Sequence, residues 1–200
     1  EYPVHPEPVK LLKNSTYIIC CDGAVNDLEN HGIIPSVIIG DMDSINQATA
    51  EKYREKLVKI SDQNSNDLEK AISWCHSHRI SDINIFAATG LREDHTVGNI
   101  FLIAKFTHHF NSIRIFTNHG IFESITGSKI FQSFPGQAVS IFSTNPKLLL
   151  KSNGLKYPLN DEPLKSLESG CLNASIGYEF SINALQGEVI VFTTYKGITS

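Results

Sequence analysis

The stretch "IIPSVIIGDMDSI" (residues 33–45) decides how the rest of the chain is read. A β-branched run, Val37-Ile38-Ile39, ends at Gly40 and delivers Asp41 and Asp43 one residue apart. A nearly continuous apolar run of this length is expected of a parallel strand covered on both faces. Two adjacent carboxylates repel unless water, hydrogen bonds or a cation offsets the repulsion. In an extended segment residues i and i+2 point the same way, so both carboxylates are expected to face one spot.

The same pattern recurs on either side. "TYIICC" (16–21), "LVKIS" (57–61), "INIFAA" (83–88) and "IRIFT" (113–117) read as further strands. Leu68, Ala71, Ile72 and Cys75 fall at i, i+3, i+4 and i+7, the stripe of an amphipathic helix. Asn66, three residues ahead of Glu69, supplies a cap for its start. Val97, Phe101 and Ala104 form a similar stripe. Strands alternating with helices predict a doubly wound, mostly parallel α/β sheet.

From about residue 121 the helical pattern stops. "IFESIT", "AVSIFS", "KLLL", "EFSINAL" and "EVIVFTTY" are short strand candidates, separated by the turn signals "FPGQ", "TNPK", "SNG" and "LQG". This predicts a β-sandwich, and the change of pattern between Ile125 and Pro135 divides the chain into an α/β domain over 1–127 and an all-β domain over 128–200.

Composition narrows the function. The 200 residues carry a formal net charge of −4, with a pI near 6.1. No excess of Lys and Arg is available to meet nucleic-acid phosphates or an anionic membrane, so a small-molecule ligand is expected. Cys20, Cys21, Cys75 and Cys171 show neither a CxxC pair nor zinc spacing. They read as thiols in a reducing cytosol, with Cys20 and Cys21 as small buried hydrophobes. No apolar stretch reaches the roughly 20 residues of a membrane span. The chain begins "EYPVHPEP", without Met and without a charged-then-apolar leader.

The polar residues gather at strand ends. The first strand runs into Asp22-Gly23, the second into Asp41-Met42-Asp43-Ser44, the third into the segment from Asp62 to Asp67, and the fourth into Arg92-Glu93-Asp94-His95. In an open α/β sheet, ligands bind beyond the carboxyl ends of the strands. Each cluster alone has a plain explanation. Asp22-Gly23 makes a turn, Asp67 complements a helix dipole, Arg92 and Asp94 form a surface ion pair, and His95 with Asn99 sits on a solvated helix face. Together, around Asp41-x-Asp43, they point to a metal–phosphate site. Mg²⁺ suits carboxylates plus substrate phosphates, and Arg92 supplies a positive fork for a phosphate. No P-loop, GxGxxG turn or protein-kinase motif set is present.

The segments "CDGAVNDLENHGIIPSVIIGDMDSI", "DQNSNDLEKAI", "ATGLREDHTVGNI" and "NGLKYPL" resemble, in order and spacing, the thiamine pyrophosphokinases. The resemblance spans nearly the whole chain. It implies a homodimer whose subunits join an α/β nucleotide domain to a β-sandwich, and transfer of the pyrophosphoryl group of ATP to the hydroxyl of thiamine, giving thiamine diphosphate and AMP. Carried over by position, it implies that Asp41 and Asp43 bind Mg²⁺, with Asp22 nearby. Asp67 would complete the metal site or orient the attacking hydroxyl, and Gln63 would approach thiamine with it. Arg92 would hold the polyphosphate, while Asp94, His95 and Asn99 shape the nucleotide pocket and Thr117 and Asn118 contact the nucleoside. The segment around Leu172 and Asn173 would reach the thiamine site across the dimer interface.

The chain departs from the family pattern at Ala24, Leu91 and Leu172, where a glycine, a glycine and a serine are usual, and the family's first strand is expected ahead of Glu1. None of these departures touches the carboxylates. Two alternatives stay open: a related pyrophosphokinase acting on another alcohol such as a pterin, and a non-catalytic nucleotide or vitamin sensor.

Overall fold

A computed structural model of the chain describes residues 1–198. The chain divides into two compact units, one over Pro6–Ile80 with Tyr2, the other from Ser81 on with Glu1 and Pro3–His5.

In the first unit, β1 (Ile19–Cys21), β2 (Val37–Gly40) and β3 (Leu57–Lys59) form a parallel sheet in that order, with Cys20 opposite Ile38 and Ile39 opposite Val58. The central position of β2 explains its unbroken apolar run, since Ile38 and Ile39 are both wholly buried. Helices α1 (Pro6–Lys13), α2 (Val25–Asn30), α3 (Gln47–Lys52) and α4 (Asp67–Ser77) connect and flank these strands. The expected cap of α4 is present, with Asn66 Oδ1 accepting from the Glu69 N–H at 2.8 Å. Its stripe is buried through Ala71, Ile72 and Cys75.

In the second unit, β4 (Asp82–Phe86) and β5 (Ser112–Phe116) are parallel neighbours joined through α5 (Glu93–Lys105). The chain then reverses at Thr117 into β6 (Gly120–Gln132), followed by β7 (Ala138–Phe142), β8 (Leu150–Asn153), β9 (Asn160–Glu162), β10 (Asn173–Ala174) and β11 (Glu179–Thr194). The strand order is β10-β7-β11-β6-β5-β4, with β8 on β11 and β9 on β8. Gly120 is required at the reversal, because a Cβ there would lie 2.1 Å from the Thr193 carbonyl oxygen. The core of the β-rich part includes Val139, Ile141, Leu150, Ile182 and Val191, and Phe131 stacks on Phe180 at 4.9 Å.

The expected order of classes, α/β followed by β-rich, is present. The allocation of strands differs from a single five-stranded parallel sheet, because β4 and β5 belong to the larger sheet through the β5–β6 hairpin. "LQG" (185–187) is not a chain reversal either. It lies inside β11, where the register with β6 shifts between Ala184 and Glu188. Such a bulge lets one long strand serve two partners: Ser181 to Asn183 pair with β8, and Ile190 to Thr193 with β7. In α5 the buried face is turned toward Ile103, which is wholly buried, leaving Val97 exposed.

Candidate active site

Because β1 and β2 are parallel and in register at Cys21 and Ile39, their ends deliver Asp22 and Gly40 side by side. Gly40 has to be glycine: a Cβ there would lie 2.7 Å from the Asp22 Cβ. Asp22 begins a short 3-10 turn with φ +29°, and Met42 holds φ +70° between the other two carboxylates. Positive φ at non-glycine residues stores backbone strain, and such strain persists where the surroundings hold it in place. One carboxylate oxygen from each of Asp22, Asp41 and Asp43 lies within 4.8 Å of the others. The two carboxylates of Asp41-x-Asp43 do face one place, as expected. A bend achieves it rather than an extended pleat, with the Asp43 N–H donating to Asp41 Oδ1 at 3.3 Å.

The three carboxyls sit in different surroundings. Asp22 is 3% exposed, and its Oδ1 has no hydrogen-bond partner among the described residues. Burial first, and then the charge of Asp67, push its pKa up to about 6, against a backbone hydrogen bond from Ser44. Asp41 is half-buried, and the Asp43 N–H holds its pKa down, helped by the charge of Lys70 and by the Gln63 side chain. Asp43 is exposed and accepts from Ser44 Oγ at 2.9 Å. Asp67 opens α4, and its Oδ1 accepts from Lys70 Nζ at 2.9 Å.

Two residues stand differently from their expected places. Asp22 was expected near the metal rather than among its ligands, yet its carboxylate joins those of Asp41 and Asp43. Lys70, which belongs to the "DQNSNDLEKAI" segment but has no role assigned from the sequence, stands at i, i+3 from Asp67.

The remaining expected residues lie in the second unit. Arg92 immediately precedes α5, and its guanidinium is forked on Asp94, Nε to Oδ1 at 3.1 Å and Nη2 to Oδ2 at 2.6 Å, with both side chains exposed. That pairing lowers the Asp94 pKa. His95 is exposed on α5, whereas Asn99 Nδ2 donates to the Ala88 carbonyl at 2.9 Å and ties the helix to the end of β4. Thr117 and Asn118 line an open pocket of about 290 Å³ with Ala87, Thr96, Ile100 and Phe116. Thr117 Oγ1 accepts from the His119 and Gly120 N–H groups and holds the turn, and Asn118 Oδ1 accepts from the Val4 N–H at 2.7 Å.

On the β-rich part, Leu172 is 84% exposed with φ +62°. Its neighbour Asn173 is buried and clamps the backbone of Tyr157, accepting from its N–H at 3.0 Å and donating to its carbonyl at 2.6 Å. The Asn173 amide is thus committed to holding a loop.

Comparison with known proteins finds one family over both parts of the chain. The profile for thiamin pyrophosphokinase, catalytic domain, matches residues 9–117, and that for thiamin pyrophosphokinase, substrate-binding domain, matches residues 120–192. The thiamine pyrophosphokinase of Bacillus subtilis is 27% identical over 172 residues, covering 78% of this chain and 76% of that protein. Thiamin pyrophosphokinase 1 of Caenorhabditis elegans is 31% identical over 105 residues, 48% of this chain and 43% of that protein, so this match spans under half of the nematode protein. Among solved structures, thiamine pyrophosphokinase from Bacillus subtilis superposes with a TM-score of 0.80 at 24% identity, covering 96% of this chain and 94% of that one. Thiamin pyrophosphokinase from Candida albicans gives 0.82 at 19% identity, covering 97% and 87%. At such identities the superpositions speak for the fold.

Proposed function

The chain belongs to the thiamin pyrophosphokinase family, and from that premise we propose that it transfers the pyrophosphoryl group of ATP to the hydroxyl of thiamine, giving thiamine diphosphate and AMP. The observation that carries this reading is the convergence of the Asp22, Asp41 and Asp43 carboxylates, Asp22 being buried with one oxygen that has no hydrogen-bond partner among the described residues.

An all-oxygen set of carboxylates, one of them orphaned in the interior, fits Mg²⁺, which takes a few carboxylates and leaves the rest of its shell to water and phosphate. Asp22, Asp41 and Asp43 would hold it, with Asp67 beside them. When bound, Mg²⁺ neutralises charge on the phosphate oxygens. The chain's own residues then have positioning tasks, which dominate in transfers of this type. Asp67, held by Lys70, orients the thiamine hydroxyl, and Gln63 approaches the same substrate. The acidic surroundings favour the permanent positive charge of the thiazolium ring. Arg92 holds the polyphosphate once its fork leaves Asp94, an exchange that costs little because solvent screens an exposed ion pair. Asp94, His95 and Asn99 shape the nucleotide pocket, while Thr117 and Asn118 contact the nucleoside.

On this reading residues 1–127 serve nucleotide and metal, and residues 128–200 serve thiamine and dimerisation. Leu172, Ile176 and Tyr178 are exposed large apolar side chains close together in sequence, which supports a homodimer completing the thiamine site there. In that arrangement Asn173 acts through the loop it clamps. Cytoplasmic location is supported by four free cysteines, and no helix among the described residues is long and apolar enough to cross a membrane.

The test is to incubate the protein with ATP, Mg²⁺ and thiamine and identify the products. AMP with thiamine diphosphate is the expected result. ADP with thiamine monophosphate would mean attack at the γ-phosphorus and overturn the transfer proposed. Turnover of a pterin alcohol in place of thiamine would move the activity to the other acceptor. Binding of ATP or thiamine without turnover would make the protein a sensor.

A further inference from the structure

Lys70 occupies a position that packing does not explain. It lies in the first turn of α4, the end of a helix whose dipole disfavours a cation, and its side chain is only 5% exposed. Burying an ammonium costs several kcal/mol unless it is well paired. A Leu or Met at this position would extend the apolar stripe of Ala71, Ile72 and Cys75 without either cost. What offsets both costs is acid: Nζ donates to Asp67 Oδ1 at 2.9 Å, and Asp41 and Asp62 stand within electrostatic reach of the ammonium.

We propose that Lys70 is a positioning residue that serves as the resident counter-ion of the acidic site, fixing Asp67 by its Oδ1 and limiting how strongly Asp22, Asp41 and Asp43 attract a divalent cation. This rests on the metal-dependent reading above. With the ammonium in place part of the repulsion among Asp41, Asp62 and Asp67 is offset before any metal arrives. The same positive charge opposes a second cation placed beside it. The site therefore binds metal less tightly than its carboxylates alone would, a condition for releasing a metal-bound product after each turnover. Lys70 also reduces the negative charge that an incoming polyphosphate meets.

The experiment is a titration of the full chain with Mn²⁺ alone, following the electron paramagnetic resonance signal of the free ion, for wild type, Lys70→Met and Lys70→Arg. Removing one nearby positive charge is expected to tighten Mn²⁺ binding about tenfold in Lys70→Met, while Lys70→Arg stays within about twofold of wild type. The rise in thermal midpoint on adding Mn²⁺ should be larger for Lys70→Met than for wild type. Unchanged or weaker Mn²⁺ binding in Lys70→Met would reduce Lys70 to a structural role and overturn the proposal while leaving the metal reading intact. Wild-type protein that takes up no Mn²⁺ would overturn the metal reading and this proposal with it. Should Lys70→Met not fold, Lys70→Gln, which keeps a polar terminus for Asp67 but no charge, carries the same expectations and the same grounds for rejection.

Discussion

The carboxylate end of the three-stranded sheet and the Arg92 region of the second unit are both strand-end clusters, yet they are built in opposite ways. Asp22 is buried, held at positive φ and short of a hydrogen bond, against a glycine that only just admits it. Arg92 and Asp94 are exposed, and they satisfy each other. Folding has already met the cost of assembling the first cluster, which suits a cation that must find its ligands in place. The second has almost nothing to lose by rearranging, which suits a flexible anion that arrives and leaves. Pre-organisation is concentrated where charge density is highest.

Four substitutions or conditions test this contrast. Asp43→Ala should lower thiamine diphosphate formation by about 10³-fold or more with the fold retained, since it removes a carboxylate that would hold the cation offsetting charge at the reacting phosphates; steady-state rates alongside circular dichroism check it. Asp22 gives the next largest effect. Its folded pKa of about 6 lies above the usual 3.8, so the fold favours the protonated form. The stability this brings is complete below pH 4 and is lost as pH rises through 6, about 3 kcal/mol in metal-free protein. Chemical denaturation across that range should show a slope that Asp22→Asn removes, and metal affinity should weaken below pH 6 as protons compete.

Gly40→Ala forces a methyl group against Asp22 and should cost about 1–3 kcal/mol of stability, with metal binding weakened in parallel; denaturation and Mn²⁺ titration read the two. The smallest stability effect belongs to the other cluster: Arg92→Ala should change unfolding free energy by less than about 0.5 kcal/mol, while the KM for ATP rises. If Arg92→Ala unfolded the protein, or Gly40→Ala left stability and metal binding untouched, the contrast between the clusters would collapse.

Much of this was legible from local pattern. The apolar runs at 36–40 and 113–117, the Asn66 cap and the buried stripe of α4 depend on residues a few positions apart, and those positions alone set their periodicity. The Asp41-x-Asp43 pair was legible for a related reason, because two like charges at a strand end demand compensation wherever the chain folds. The allocation of β4 and β5 to the larger sheet was not legible, since strand partners are chosen by a hairpin that comes later in the chain. Asn173 illustrates a different limit: its type and position suit substrate contact, but both ends of its amide are committed to the Tyr157 backbone.

The sequence by itself determined the order of α/β and β-rich parts, the strand ends that carry acid, and the family to which those segments belong. Only the tertiary structure decided which acids meet. Asp22 becomes the buried member of the group because β1 and β2 pair in register and Gly40 leaves room, and Lys70 comes within reach of Asp67 and Asp41 because α4 turns that side chain inward. Burial and charge proximity are properties of elements brought together, and no short window of residues contains both sides of such a contact.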